Sequence, residues 1–113
     1  GIAGGKLTLA DLKTSAKPYC RWWPKEYPKG SPEWRVRLGG YMKFKKCCLQ
    51  LGAYALGIEQ TLNMKVDQAA ILVSTPEDTQ LFKISRRHLD FCQKDWLKVV
   101  AEYYEQISLD YEL

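Results

Sequence analysis

The residues best suited to chemistry lie near the start of the chain, in the run from Gly5 to Ser15. This run contains an acid and a lysine, Asp11 and Lys13, separated only by Leu12. Successive side chains of a β-strand point to opposite faces, so Asp11 and Lys13 would project together and Leu12 would point away. A carboxylate can hold a divalent metal ion, and an adjacent ammonium can orient water or stabilise phosphate charge. The pair predicts phosphate chemistry, with a solvated amphipathic strand as the alternative.

A second pair of polar side chains falls on a predicted helix. Gln50 and Tyr54 are four residues apart, which places them on the same helix face, one turn from each other. An amide and a phenol can each hydrogen-bond to a phosphate or a base. The alternative is an exposed glutamine beside a core tyrosine whose hydroxyl reaches the rim.

Three segments, in order along the chain, carry a resemblance to a known family: Asp11-Leu12-Lys13-Thr14-Ser15, Lys17-Pro18, and Gln50-x-x-x-Tyr54. They resemble the RecB-type branch of the PD-(D/E)XK nucleases, and within it the phage and mitochondrial genome maintenance exonucleases. The resemblance implies a restriction-endonuclease-like core and a DNA exonuclease that hydrolyses phosphodiesters with Mg²⁺ or Mn²⁺. It further implies that Asp11 is a metal ligand, that Lys13 is the catalytic lysine, and that Gln50 and Tyr54 support the site and touch the DNA.

The chain departs from that family upstream of the first motif. The family completes its metal site with an acid on the preceding strand, and often with another on an earlier helix, whereas none of the residues from Gly1 to Ala10 is acidic. A single carboxylate with water molecules is a poor site for Mg²⁺. We therefore expect residues 1–113 to form one domain that corresponds to the C-terminal part of a nuclease core, and this part alone could be inactive.

Two other functions fit the same residues. The first is a non-catalytic module that keeps the fold and binds single-stranded nucleic acid. The second is an assembly protein that uses its aromatic segment to contact a protein partner. Salt-dependent binding of DNA without metal-dependent cleavage would favour the first, and failure to bind nucleic acid at low salt would favour the second.

Positive charge is concentrated in one third of the chain. The net charge is +4, yet residues 13–46 contain ten basic residues against two acidic ones. Such asymmetry favours a polyanionic partner, here DNA as a single strand or a duplex end. Within it, residues 17–40 hold four of the five prolines and three of the four tryptophans. Because proline at this density disfavours a regular helix or a central strand, the sequence predicts a long loop or flap.

Cations and aromatic rings alternate along this predicted loop, as in proteins that hold single strands. The nucleic-acid-binding residues predicted from it are Lys17, Arg21, Trp22, Trp23, Arg35 and Arg37. The alternative is that the aromatic rings pack beneath the loop and anchor it. Adjacent residues of an extended chain point in opposite directions, so one tryptophan of the Trp22-Trp23 pair could anchor while the other stacks on a base.

The elements that must position these residues follow from periodicity. The sequence predicts strands over residues 6–12, 67–74 and 79–85, and helices over residues 41–59 and 86–107. The fold class is α/β (α+β), a mixed sheet of at least three strands flanked by helices. The apolar stripe of the last helix should cover a sheet face. If the first strand lacks a neighbour on one side, its free edge could pair with a second copy to form a homodimer.

The remaining chemistry-bearing residues indicate little on their own. The sequence has four cysteines, and their spacing matches neither a zinc ribbon nor the cysteine pattern of the iron–sulfur relatives: Cys20, Cys47, Cys48 and Cys92. We interpret them as buried or otherwise unreactive thiols in a reducing cytosol. His88 is expected at a solvated helix start without a catalytic role. No apolar run approaches the roughly 20 residues that cross a bilayer, so we expect no membrane partner and a cytoplasmic location in a bacterium or a phage-infected host.

Overall fold

The computed structural model describes residues 2–3 and 6–112, with side chains from residue 6 to residue 109. Its elements are strands β1 (Ile2–Ala3), β2 (Lys6–Thr14), β3 (Gln68–Ser74) and β4 (Thr79–Ile84), and helices α1 (Pro32–Leu62) and α2 (Arg86–Glu112). The strand order in the sheet is β1-β2-β3-β4, with β2 and β3 parallel and the other pairs antiparallel. The α+β class and the mixed sheet are as predicted.

The first long strand places the acid and the lysine as the alternation predicts. Asp11 is paired with Ile71 and Lys13 with Val73, and both β3 residues are fully buried beneath the helices. Leu12 is 72% exposed on the opposite face. Parallel strands need a long connection, and α1 provides it between β2 and β3. Asp11 and Lys13 therefore face α1.

Helix α1 begins earlier than predicted, because the prolines at its start do not exclude a helix. The loop was expected to extend to residue 40, whereas α1 starts at Pro32 and the loop ends at Ser31. Ser31 caps the helix, since its Oγ accepts a hydrogen bond from the Trp34 N–H at 3.2 Å. Proline fits the first turn, where its missing N–H would have no partner within the helix. The Pro/Trp-rich loop is therefore residues 15–31.

The hairpin after α1 is confirmed, and its inner face forms the centre of the core. Strands β3 and β4 pair from Ala69–Ile84 to Ser74–Thr79, and the Thr75 N–H donates to the Asp78 carbonyl across the turn. The largest fully buried side chains come from both helices, from the sheet and from the α1–β3 connection: Phe44, Leu51, Val66, Ile71, Val73, Ile84 and Leu89. Both helices therefore cover the same face of the sheet.

The expectation that the stripe of α2 covers a sheet face is right only for its first turns. Leu89 is fully buried, but Tyr103 and Leu109 are more than half exposed. A helix of 27 residues is about 40 Å long, whereas the seven residues of β3 span roughly 23 Å. Helix α2 packs mainly against α1, and its second half extends past the sheet.

The second face of the sheet bears a row of leucines. Leu12, Leu72 and Leu81 are direct neighbours in the strand register, and all three are exposed. On the β2 edge, β1 pairs with Lys6 and Leu7, and no further strand lies there among the described residues. No described helix is both long and apolar enough to cross a membrane.

Candidate functional site

The predicted acid, lysine and glutamine meet between β2 and α1. Lys13 Nζ lies 3.5 Å from Asp11 Oδ2 and donates to Gln50 Oε1 at 3.5 Å. The Asp11 carboxylate raises the pKa of Lys13, against an opposing effect of burial, so the amine stays charged. The side chains of Lys13 and Asp11 are 34% and 20% exposed, so the pair is reachable from solvent. The structure thus brings together three of the four residues that the resemblance selects.

A cavity of about 260 Å³ opens beside this group. We call it the lysine pocket, and its lining residues are Lys13, Thr14, Tyr19, Lys43, Lys46, Cys47 and Gln50. Lys43 Nζ also lies 3.4 Å from Ser15 Oγ, close to the end of β2. Three lysines therefore line a space next to a single carboxylate. Such a pocket attracts an anion, and the amide and hydroxyl groups in its wall can hydrogen-bond to phosphate oxygens.

Tyr54, the fourth residue of the resemblance, lies apart from this group. Its side chain is 58% exposed on α1 and does not line the lysine pocket. Four residues of a helix rise about 6 Å, so the Tyr54 side chain can lie outside the group that Gln50 forms with Lys13. A role for Tyr54 at the site stays a prediction.

The surroundings of Asp11 do not fit a Mg²⁺ or Mn²⁺ ion held by the described side chains alone. Asp11 Oδ2 accepts a hydrogen bond from Cys47 Sγ at 2.9 Å and lies beside the Lys13 ammonium. Burial, together with the hydrogen bond and charge of Asp11, raises the pKa of Cys47 to about 12, so this thiol remains a proton donor. Among the described side chains, no group of three potential metal ligands includes Asp11. Hard divalent ions need more oxygen ligands than one carboxylate provides.

The two adjacent tryptophans of the loop differ in their contacts. Trp23 makes edge contacts with Trp34 and Tyr41, with ring centroids 6.1 and 5.8 Å apart, while Trp22 is 76% exposed. The loop is fixed to the sheet by Gln80, whose side chain accepts from the Tyr19 N–H and donates to the Tyr19 carbonyl. Trp22 is therefore exposed to solvent on a loop whose neighbouring residues are anchored.

Some of the basic side chains predicted to bind nucleic acid contact other parts of the protein, and others are exposed. The Arg21 guanidinium lies over the Phe44 ring and donates to the Lys83 carbonyl, so it helps to join the loop to the core. Arg37 stacks on the Tyr27 ring at 4.6 Å. Lys17 and Arg35 are exposed. All four remain predicted contacts for nucleic acid, but the two stacked arginines also have structural partners.

A second group of reactive side chains lies on the other side of α1, and the sequence interpretation missed it. The ligand atoms of Cys48, His88 and Cys92 all lie within 4.8 Å of one another, so this cluster could hold a metal ion. The four cysteines are free thiols, and Cys48 and Cys92 are buried as expected. The spacing of His88 and Cys92, four residues apart on one helix, was the available signal. Including Cys48 in a predicted metal site would have required knowledge of how the two helices pack against each other.

Comparison with known proteins leaves the family of the chain open. No family model matches the sequence, and no curated protein is significantly similar to it. The likeness to the RecB-type nucleases therefore depends on the short motifs Asp11-Leu12-Lys13-Thr14-Ser15, Lys17-Pro18 and Gln50-x-x-x-Tyr54, and remains a resemblance.

Proposed function

We propose that this protein binds single-stranded nucleic acid, with the phosphate backbone at the lysine pocket and bases against the loop of residues 15–31. The observation that carries the proposal is the convergence of Lys13, Lys43 and Lys46 on one cavity beside Gln50. Nucleic-acid phosphates are the abundant anions that match several ammonium groups along one surface. DNA is the partner that the sequence predicts.

Charge supports the same partner over a larger surface. The three lysines of the lysine pocket belong to the segment of residues 13–46, which contains ten basic residues and only two acidic ones. Every phosphate neutralised by a lysine or arginine releases condensed counterions, and this release stabilises the complex at low salt. Positive charge at the pocket and along the start of α1 would guide a polyanion to this side of the molecule.

The aromatic side chains of the loop provide the second part of the interface. Trp22 is exposed, while the neighbouring Trp23 is held by Trp34 and Tyr41. A base that stacks on an indole contributes about 1 to 3 kcal/mol with little dependence on its identity. An anchored loop also lowers the entropy cost of presenting the ring. Binding should therefore depend on phosphate charge and on unpaired bases, with weak sequence preference.

The binding test measures fluorescence anisotropy of a labelled oligothymidine over a salt series. Lys43→Ala should weaken binding and reduce the slope of log K against log salt by about 0.7, the value for one phosphate of a single strand. Lys65→Ala is the matched control, since Lys65 is an exposed lysine between α1 and β3 that does not line the pocket. Equal losses in both variants would reject the lysine pocket as the phosphate site.

The same assay examines stacking. Trp22→Ala should weaken binding by roughly 5- to 150-fold, which corresponds to about 1 to 3 kcal/mol. Tyr104→Ala removes another exposed aromatic ring, on the part of α2 beyond the sheet, and should leave the affinity unchanged. An unchanged affinity for Trp22→Ala would remove the loop from the interface.

A Mg²⁺- or Mn²⁺-dependent DNA exonuclease is the second candidate. The observation in its favour is that Lys13 contacts both Asp11 and Gln50, the arrangement that the resemblance implies. Since Asp11 alone is a poor metal site, cleavage would need oxygen ligands that the described residues of this chain do not place there.

Two variants separate the candidates. In an exonuclease, Asp11→Asn and Lys13→Ala should each abolish metal-dependent degradation of labelled DNA. In a binding module, Asp11→Asn should retain binding or strengthen it, because a negative charge beside the phosphate is removed. Metal-dependent cleavage that is equal in the wild type and Lys13→Ala would eliminate the nuclease assignment.

A further inference from the structure

We propose that Cys48, His88 and Cys92 bind one Zn²⁺ ion between the two helices, with the fourth coordination position open to a neighbouring cavity. The cluster lies in the contact between α1 and α2, outside the lysine pocket. Its two cysteines are buried and its histidine is partly exposed. The proposal is independent of nucleic-acid binding.

The two helices supply the ligands through simple geometry. His88 and Cys92 are four residues apart on α2, so their side chains project from the same face one turn apart. Cys48 faces them from α1, one turn before Gly52. A Cβ atom at Gly52 would lie 2.5 Å from the Cys92 carbonyl carbon and oxygen, so the helix backbones approach closely here. The absence of a side chain at Gly52 allows the thiol of Cys48 to reach the α2 pair.

The separations suit a tetrahedral ion. Zn–S and Zn–N bonds of about 2.3 and 2.0 Å place neighbouring ligand atoms roughly 3.3 to 3.8 Å apart. The three ligand atoms already lie within 4.8 Å of one another, so small side-chain rotations would bring them to bonding distance. The binding step is balanced by release of the two thiol protons to solvent, and it involves no change of oxidation state.

The donor set selects the class of metal. Two thiolates and an imidazole are soft and borderline ligands, which suit Zn²⁺ and disfavour Mg²⁺, Mn²⁺ and Ca²⁺. Two thiolates would also balance the charge of a divalent ion within the helix contact. Three protein ligands leave one tetrahedral position for water or another small ligand.

The open position faces a cavity of about 480 Å³ that is lined by all three cluster residues. Asp95 and Lys45 also line this cavity, on α2 and α1 respectively. Asp95 follows Cys92 by three residues, so its carboxylate can accept a hydrogen bond from a zinc-bound water or orient the imidazole. The ion would thus be bound on the helix side and remain reachable from solvent.

The test titrates the reduced, metal-free protein with Co²⁺ and then with Zn²⁺. We expect one equivalent of Co²⁺ to produce the intense visible bands of a tetrahedral site and a near-ultraviolet thiolate-to-cobalt band. Zn²⁺ should then displace the cobalt and remove both signals. Cys48→Ser, Cys92→Ser and His88→Ala should each weaken zinc binding by more than about 100-fold, since even loss of an outer-shell partner costs 10- to 100-fold.

Matched controls keep the result specific. Cys47→Ser changes the adjacent buried thiol and Cys20→Ser the remaining one, and neither residue belongs to the cluster, so both variants should bind zinc as the wild type does. Circular dichroism checks that each variant is folded. If the cysteine variants do not fold, the partly exposed His88→Ala decides the question through the cobalt spectrum.

Several results would overturn the proposal. They are the absence of a thiolate-to-cobalt band in the reduced wild type, unchanged zinc affinity in folded His88→Ala, and an equal loss in Cys47→Ser. Mass spectrometry that finds Cys48 and Cys92 joined as a disulfide under reducing conditions would also reject it, because the pair would then be a covalent bridge between the helices.

Discussion

Single residues determine how much chemistry the Asp11 group can perform. One oxygen of Asp11 is engaged by both Cys47 and Lys13, and Lys13 is shared with Gln50. These contacts orient the ammonium group toward the lysine pocket. The same contacts compete with a cation for the carboxylate, so the group is better arranged to hold an anion through lysine than a metal through aspartate.

A second polar group, centred on Glu59, holds α1 to α2 and to the start of β3. Burial opposes the ionisation of Glu59, but hydrogen bonds from Gln93, from the Val66 N–H and from Arg86 outweigh it and lower the pKa below its ordinary value of 4.5. A carboxyl group with a lowered pKa stabilises the folded state above its unfolded pKa. This stability is lost as the pH falls through the folded pKa.

We predict that Glu59→Gln lowers the free energy of unfolding by about 1 to 3 kcal/mol at pH 7, because Arg86 loses one of its two carboxylate partners. The difference from the wild type should shrink as the pH falls below about 4.5, since protonation removes the same charge from the wild type. Urea unfolding at several pH values measures it. Glu77→Gln, an exposed acid in the β3–β4 turn, is the control. A difference that does not depend on pH would contradict the prediction.

At the scale of elements, the packing of α1 depends on which glycines face a neighbour. Gly52 lies against the α2 backbone, with a Cβ position 2.5 Å from Cys92 atoms, whereas no heavy atom lies within 4 Å of the Cβ position of Gly57. Backbone atoms of a packed helix cannot move aside as a flexible side chain does. A side chain at position 52 would therefore clash with α2, whereas a side chain at position 57 would meet no such obstacle.

We predict that Gly52→Ala destabilises the protein by about 1 to 3 kcal/mol, because the new methyl group forces the helices apart. Gly57→Ala should stabilise it by up to about 1 kcal/mol through helix propensity. Urea unfolding followed by circular dichroism measures both variants. Equal effects of the same sign would show that the close contact at Gly52 does not control helix packing.

The elements also show how far sequence reasoning extends. The alternation around Asp11 and Lys13 predicts their shared face, because a strand period depends only on the local backbone. The predicted start of α1 at residue 41 was wrong. Proline density suggests a loop, but a proline is compatible with the first turn of a helix, and Ser31 caps α1 directly before Pro32. Gln50 lies beside Lys13 whereas Tyr54 does not, because helical spacing defines a face but not its distance from β2.

Other features depend on packing that one sequence does not reveal. Cys48 and His88 are 40 positions apart in the sequence, so they can meet only where two helices pack together. The overhang of α2 likewise follows from the relative lengths of helix and strand, and its apolar stripe alone gave no sign of it. Local periodicity predicted the elements, whereas contacts between elements had to be observed.

For the molecule as a whole, zinc binding would join the two long helices and thereby raise stability. A ligand that binds only the folded state adds about 2.7 kcal/mol when its free concentration is 100 times the dissociation constant. We predict an increase of up to this size in the unfolding free energy on zinc addition, and its reversal by a chelator. Thermal unfolding measures the change. His88→Ala should show no increase, and an equal increase there would assign the effect to other zinc sites.

Helix α1 lies between the lysine pocket and the cavity beside the cysteine–histidine cluster, because its consecutive residues Cys47 and Cys48 contact different partners. Cys47 contacts Asp11, and Cys48 belongs to the cluster with His88 and Cys92. Lys46 lines the cavities on both sides. Cys47 and Cys48 are adjacent on the same helix, although their side chains contact different elements. The same short stretch of backbone therefore forms part of both cavities, so a substitution that displaces it should alter the geometry of both.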